Sequence, residues 1–271
     1  MAGQSNINNI GRLFYKDYYK EVDFEKLLFG SKEEKKEEKD KSLEINKTIK
    51  NSPRVEIEKP IAEIIPMEKA IVQYPGIVTG VGLDHDVAVT DGYKLGMHFD
   101  YTYGMPVVYG SSIKGILKTY FENFFMKRHP DREADVKPLS DLIFEGKNPK
   151  YKKGSHDEPK YIPLYERDVF FDAVIEETYN GKFLVDDSIT PHTEGPLKNP
   201  VPIKMLKIAS GCEIDFRFKL NTHRVNHEDY TSDDILTIFK DILETVGVGA
   251  KTNVGYGRVK FKKEENNANV R

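Results

Sequence analysis

The sequence predicts an α+β fold with an antiparallel sheet, and three observations carry that expectation. Residues 213–220 (EIDFRFKL) alternate: Ile214, Phe216 and Phe218 fall on one face, Asp215, Arg217 and Lys219 on the other, the period of a strand with one solvated face. Residues 111–128 (SSIKGILKTYFENFFMKR) place Ile113, Ile116, Leu117, Tyr120 and Phe124 at three- and four-residue spacing, which gives a helix one buried face. Residues 232–246 (SDDILTIFKDILETV) predict a second helix, behind Ser232 and acids that suit a helix N-terminus.

The other elements follow in chain order. Residues 69–79 (KAIVQYPGIVT) read as a strand interrupted near Pro75-Gly76. Residues 80–110, rich in Gly, Asp and Tyr, read as a long loop with a short strand near 97–103. Ser111 or Ser112 suits the cap of the first helix. A shorter helix is expected at 138–145, a continuous apolar strand at 168–175 (DVFFDAVI), and a last strand at 256–262. Residues 183–206 form a Pro-rich excursion with Pro191, Pro196, Pro200 and Pro202. Strand, helix, strand, strand, helix, strand is the ferredoxin-like order, which RNA-recognition motifs share.

Residues 1–60 are expected to stand apart from this domain, which is placed over 61–271. Phe14, Tyr18, Leu27 and Leu28 suit one helical face. Residues 31–42 (SKEEKKEEKDKS) carry five Lys and five acids and read as a solvated linker or frayed helix. Pro53 and Pro60 break any helix that reaches them.

Composition bounds the function. The chain has 271 residues, 31% of them charged, enough for one large domain or two small ones. No run approaches the roughly 18 apolar residues of a membrane span, so no membrane partner is expected. The start, MAGQSNINNIGRLF, lacks the pattern of a signal peptide. The single cysteine, Cys212, excludes an internal disulfide and a multi-cysteine zinc site, and is expected to be a small core or turn residue. A cytoplasmic location is expected. The net charge of −3 conceals sorting. Residues 247–263 hold Lys251, Arg258, Lys260, Lys262 and Lys263 with no acid, whereas 228–244 hold six acids against Lys240. Local potential, more than net charge, decides what a surface attracts.

Two segments point to chemistry. In Gly247-Val-Gly-Ala-Lys-Thr-Asn-Val-Gly-Tyr-Gly257, four glycines between a helix and a strand let backbone N–H groups approach a ligand, and Lys251 and Arg258 suit phosphate. The spacing is not that of a P-loop, and the segment follows a helix instead of opening one, so no nucleotide cofactor is expected. In the second segment, Gly110, Ser111 and Ser112 fall at a helix N-terminus, where free N–H groups bind anions, and Lys114 and Lys118 lie one turn apart. A glycine-rich turn and ordinary capping are the competing structural readings of the two.

Together these segments resemble the RAMP proteins of CRISPR systems. Tyr-Gly-Ser-Ser-Ile-Lys-Gly-Ile-Leu-Lys (109–118) is similar to their helix-opening signature, with Tyr109 where Pro is usual, and 246–257 is similar to their glycine-rich loop before the final strand. Thr79-Gly80 with Gly82, Gly92 and His98 resembles the exit of their first strand. Phe170-Phe171-Asp172-Ala173, Pro191-His192 and Asn199-Pro200-Val201-Pro202-Ile203 resemble the sixth-subunit family of the type III-B (Cmr) effector complex. The resemblance covers roughly 70–260.

What the resemblance implies is an RNA-binding backbone subunit. It would hold the 3′ part of a CRISPR guide RNA and the guide–target RNA duplex, beside other RAMP and small subunits. The implied RNA contacts are Gly110, Ser111, Ser112, Lys114, Lys118, His98, His192, Gly247, Gly249, Lys251, Thr252, Gly255, Tyr256, Gly257 and Arg258. A thumb hairpin would interrupt the duplex. The stiff excursion 183–206 is the candidate, with Leu197, Val201, Ile203 or Met205 as the wedge.

No catalytic residue and no metal is expected. Asp84, Asp86 and Asp91 are hard donors, but one short cluster in a Gly-rich loop reads as loop. His98 and His192 have no acid–base partner placed by spacing, and His223 and His227, four apart, lie in a segment that is not clearly helical. Two other readings stay open: a RAMP-type endoribonuclease that processes CRISPR RNA, and a small-molecule enzyme with a closed pocket.

Overall fold

The computed structural model describes residues 9–55, 65–80, 92–94, 97–152, 159–190 and 202–263. Small and branched apolar residues come into register to build its central sheet. Ala70 of β1 (Glu68–Val72) lies opposite Phe261 of one neighbour and Ile214 of the other, and Val72 lies opposite Val259. Four further strands complete the sheet: β2 (Val107–Val108), β3 (Ala173–Glu177), β6 (Glu213–Phe216) and β7 (Val259–Phe261). The hairpin strands β4 (Leu184–Ile189) and β5 (Ile203–Ile208) lie outside it.

The spatial order is β7-β1-β6-β3-β2, and every neighbouring pair is antiparallel. Taking β1, β3, β6 and β7 as first to fourth in sequence, the order is fourth, first, third, second. That is the ferredoxin-like arrangement, with β2 added at one edge. Two helices, α4 (Gly110–Arg128) and α6 (Ser232–Val246), join β1 to β3 and β6 to β7. Ile113, Leu117, Phe121 and Phe125 of α4 and Ile235, Ile238, Phe239, Ile242 and Leu243 of α6 share one core with Ala70, Val72, Ile214 and Phe216.

Several expectations are corrected in detail. The buried row of α4 is the four-residue series Ile113, Leu117, Phe121, Phe125, while Tyr120 is exposed. Thr231, not Ser232, caps α6, through a capping box with Asp234. The apolar run 168–175 is two strands: Val169–Phe170 pairs with Phe218–Lys219 in a separate ladder, and β3 belongs to the main sheet. The shorter helix begins earlier, as α5 (Glu133–Ser140), and passes into a π-helical turn ended by Gly146 at φ 66°. Asp215 and Arg217 do not face water. Both are buried and joined at 2.8 Å. Glu213 beside them is 1% exposed and binds Lys69 at 2.8 Å and Lys262. Burial alone would raise the Glu213 carboxyl, but the hydrogen bonds from Lys262 and Lys69 outweigh it and hold it below the usual range.

The largest correction concerns the N-terminal region. The charged run expected as linker is most of a 20-residue helix, α3 (Lys32–Asn51), opened by a Ser31–Glu34 capping box. It follows two short helices, α1 (Ile10–Tyr15) and α2 (Phe24–Phe29). Glu38, Ser42, Asn46 and Ile49 form the buried row of α3. Glu38 accepts the Asp23 N–H at 2.8 Å and binds Lys41 at 2.7 Å, and Asn46 accepts the Tyr18 hydroxyl at 2.6 Å. A stripe made mostly of polar groups leaves no hydrophobic period to read. Ile10, Phe14, Tyr18 and Ile49 lie in the same core as the sheet, so the folded body begins well before residue 61. Among the described residues no helix is long and apolar enough to cross a membrane.

If α3 is part of the core, Ile49→Ala lowers the unfolding free energy by about 2–5 kcal/mol. Exposed Lys39 on the same helix, changed to Ala, shifts it by no more than about 0.5 kcal/mol. Urea denaturation of both variants checks this; equal, small effects would return α3 to a solvated tract.

Candidate nucleic-acid interface

The glycine-rich segment is bound to the exit of β1 by backbone hydrogen bonds. The Ala250 N–H donates to Val78 O at 2.6 Å, the Gly257 N–H to Gly76 O at 2.8 Å, and the Val248 N–H to Gly257 O at 2.8 Å. Gly247, Gly249, Gly255 and Gly257 all have φ between 80° and 97°, where a side chain is strained. A β-carbon on Gly249 would collide with the Val78 carbonyl, and one on Gly257 with the Val248 carbonyl. Gly247 faces the Gly257 carbonyl. The close approach that these three glycines permit is therefore to the protein's own backbone, a correction to the expectation that they admit RNA. Gly255 alone of the four meets nothing within 4 Å and sits at the solvent side of the turn.

Lys251 adopts left-handed φ 60° at the start of a short 3-10 turn, Thr252–Val254. Lys251 and Thr252 are half-buried, and Arg258 is exposed. Two of the five cations expected here are spent on ion pairs: Lys260 with Glu244 at 2.7 Å, and Lys262 with Glu213. Among the described residues Lys251, Arg258 and Lys263 make no ion pair. The turn at the exit of β1 adds a residue that the sequence reading missed. Tyr74 is 83% exposed, and the neighbouring Gln73 N–H donates to Arg258 O at 2.8 Å. Its Tyr-Pro-Gly context was the available signal, since such a turn projects its first side chain into solvent.

The hairpin β4–β5 is locked to the same loop. The Tyr256 hydroxyl donates to Asp187 at 2.8 Å, Lys207 binds Asp187 at 2.5 Å, and the Lys207 ammonium lies 5.6 Å from the Tyr256 ring centre. Burial, then the hydrogen bond to Asp187, pushes the Tyr256 phenol up to about 12. Burial would raise the Asp187 carboxyl, but the bonds from Lys207, Tyr256 and the Ser188 N–H hold it below the usual carboxylate range. Because the folded value is depressed, this tie is complete above the ordinary carboxylate pKa and is lost as pH falls through the folded one. Six register pairs, from Leu184–Ile208 to Ile189–Ile203, define the hairpin. Met205 is fully buried with Val78 and Ala250 and so is not free to act as a wedge, while Ile203, in the last register pair before the connecting segment, packs half-buried beside them. Leu197, Val201 and His192 lie outside the described residues, as do Asp84, Asp86 and Asp91.

The second segment hangs on the next residue of the β1 exit. The Thr79 hydroxyl accepts the His98 N–H at 2.8 Å, and the His98 ring stacks on Tyr109 at 4.6 Å and 28°. Tyr109 is the N-cap of α4 but makes no side-chain cap. The cap comes from elsewhere: Asp172 accepts the Gly110 N–H at 2.7 Å. That explains the Phe-Phe-Asp-Ala motif, and it corrects both the capping role given to Ser111 or Ser112 and the open N–H given to Gly110. A β-carbon on Gly110 would strike the Phe170 carbonyl. Ser111 and Ser112 are exposed in the first turn. Lys114 lies 5.6 Å from the Phe170 ring centre, and Lys118 is paired with Glu145.

The other titratable candidates are structural. His223 is buried against Asp168 at 2.6 Å, and Asp168 also accepts the Asn221 N–H at 2.7 Å. His227 occupies the positive-φ turn beyond that strand. Cys212 is buried, which raises its thiol. Among the described residues no group of three or more His, Cys, Asp or Glu is placed to hold a metal ion.

The sheet of ferredoxin-like order thus carries a glycine loop and a helix start, both hung on the exit of its first strand. The model of the RAMP superfamily matches residues 69–260, and the chain belongs to that superfamily. No curated protein matches the sequence. Among solved structures, a chain of the cryo-EM structure of type III-B Cmr-beta bound to cognate target RNA shares the fold: TM-score 0.57, 18% identity, 86% of this chain and 75% of that one covered. The crystal structure of Cmr6 from Pyrococcus furiosus aligns over 73% of this chain and 98% of its own, at 19% identity and TM-score 0.37, too low to carry weight.

Gly249→Ala and Gly257→Ala are expected to destabilise the isolated chain by at least about 2 kcal/mol, because each needs a backbone shift at a positive φ. Gly255→Ala, with open space around it, costs about 1–2 kcal/mol from conformation alone. Thermal or urea unfolding separates them, and equal stability of all three would show that the loop is not held by these contacts.

Proposed function

We propose that this chain is an RNA-binding backbone subunit of a type III-B CRISPR ribonucleoprotein, holding the 3′ part of the guide RNA and the guide–target duplex beside other RAMP and small subunits. One observation carries the reading. Val78 and Thr79, adjacent in sequence, hold the glycine loop on one side and, through His98 and Tyr109, the start of α4 on the other. The groups this leaves facing solvent are suited to an RNA backbone: Arg258 and Lys251 for phosphate, Ser111 and Ser112 for phosphate or ribose, and Tyr74 for a base face.

Membership of the RAMP superfamily and the fold shared with a chain of an RNA-bound Cmr assembly support the reading. The hairpin β4–β5 is the proposed thumb, with its rigid base set by the Tyr256–Asp187–Lys207 tie and its tip in the segment that joins the strands. The subunit is proposed as non-catalytic, the chemistry of target cleavage being supplied by its neighbours. A phosphate cradle for a nucleotide cofactor is disfavoured, because the N–H groups of Gly247, Val248, Ala250, Gly255, Tyr256 and Gly257 already donate to the chain's own carbonyls.

Lys251→Ala combined with Arg258→Ala is expected to weaken RNA binding about equally for all sequences. It should also make the dependence of log K on log salt shallower by roughly 0.7 per lost contact. Filter binding of the purified chain across a salt series measures this. An unchanged slope removes these residues from the interface, and specific cleavage of repeat RNA by the chain alone would favour the endoribonuclease reading.

A further inference from the structure

A cavity of about 600 Å³ lies outside the glycine loop. It opens between α1 and the loop that leads into α4. One wall is Arg12, Tyr15 and Lys16; the other is Asp100, Tyr101 and Tyr109. Gly11 makes the junction possible: its N–H donates to Gly104 O at 3.2 Å, and a β-carbon there would press on Phe99. Asn9 closes the end by donating to the carbonyls of Tyr101 and Thr102 at 3.3 and 3.4 Å.

The lining is planar and cationic, with no aliphatic side chain among the described residues. Tyr101 is 98% exposed, so its ring face is open to a partner. Tyr15 is half exposed, its ring fixed by the hydroxyl's bond to Met97 O. Tyr109 is backed by the stacked His98 ring. Arg12 uses Nε to bind Asp17 at 3.0 Å and remains 54% exposed, and Lys16 is exposed with no ion pair among the described residues. The one carboxylate of the lining, Asp100, is committed to the N–H groups of Thr102 and Tyr103 at 2.9 and 2.6 Å. A peptide groove would offer aliphatic pockets. Aromatic faces flanked by two cations fit bases that are out of a duplex, joined by phosphates.

We infer that this cleft is a second RNA site, which takes an unpaired stretch of RNA by stacking on Tyr101 and Tyr109 with Arg12 and Lys16 at the phosphates. It rests on the reading of the chain as an RNA-binding subunit. Its role is to keep a single-stranded segment from re-pairing beside the duplex held at the β1 exit. It shares the start of α4 with that interface through Tyr109.

The chain contains no Trp, so Tyr101→Trp installs a single fluorescent reporter. Single-stranded RNA of roughly ten nucleotides is expected to quench it saturably, and duplex RNA of the same length to quench it far less. Tyr101→Ala should weaken single-stranded binding about 5- to 150-fold, and Lys16→Ala should flatten the salt slope by roughly 0.7, with neither altering thermal stability. Unchanged single-stranded affinity in both variants, or equal quenching by duplex, overturns the cleft as a site for unpaired RNA, while Lys251→Ala with Arg258→Ala still reports on the main interface. Quenching by a Cmr-type protein neighbour in place of RNA overturns it as well. If the wild-type chain binds no RNA of either kind, the broader reading falls together with the cleft.

Discussion

The fold of the candidate interface depends on one close backbone contact, where the glycine loop lies against the exit of β1. The Ala250–Val78 and Gly257–Gly76 hydrogen bonds leave no room for a β-carbon at Gly249 or Gly257. The cations proposed for the main RNA interface are positioned from that contact. Arg258 follows Gly257 directly, Lys251 follows Ala250, and Tyr256 reaches from the same turn to the base of the hairpin. Thr79, next to Val78, passes the constraint to His98 and on to the first turn of α4. Two stretches some 130 residues apart in sequence are therefore held by neighbouring residues of one short segment.

Electrostatics divides along the same lines. The acids that make the chain net negative are largely occupied in holding elements together. Asp241 binds Arg128 and Glu228 binds Arg132, at 2.7 and 2.6 Å, and Glu244 binds Lys260. Exposed pairs of this kind contribute little each, about 0–1 kcal/mol, but they cancel local charge. Lys251, Arg258 and Lys263 at the glycine loop and Lys16 just past α1 are among the cations that make no ion pair with a described residue. The charge sorting visible in the sequence thus overstated the basic face, since Lys260 and Lys262 are neutralised.

The sheet and its two crossing helices were legible because their signals are local. Period-two alternation around Ile214 and Phe216, and the four-residue rows of α4 and α6, need no knowledge of tertiary contacts. What stayed hidden was set by partners distant in sequence. Asp215 and Arg217 read as a solvated face because nothing local shows that they satisfy one another in the interior. The buried row of α3 consists mostly of Glu38, Ser42 and Asn46, which a hydrophobic pattern cannot detect. Asp172 caps α4 from 62 residues away, displacing the serines that the local rule favours. At the site, the sequence located the loop and the helix start. It could not tell a glycine packed on Val78 from one open to a ligand, nor bring α1 against Tyr101 and Tyr109.

The central claim is that RNA runs along the β1 exit between the glycine loop and the start of α4. Photo-crosslinking of the chain to RNA carrying 4-thiouridine, followed by mass spectrometry of the linked peptides, tests it most directly. The account predicts crosslinks within 72–80, 98–112 and 250–258. Crosslinks confined to the acidic outer surface of α6, or to the ladder around His223–Val225, would contradict it.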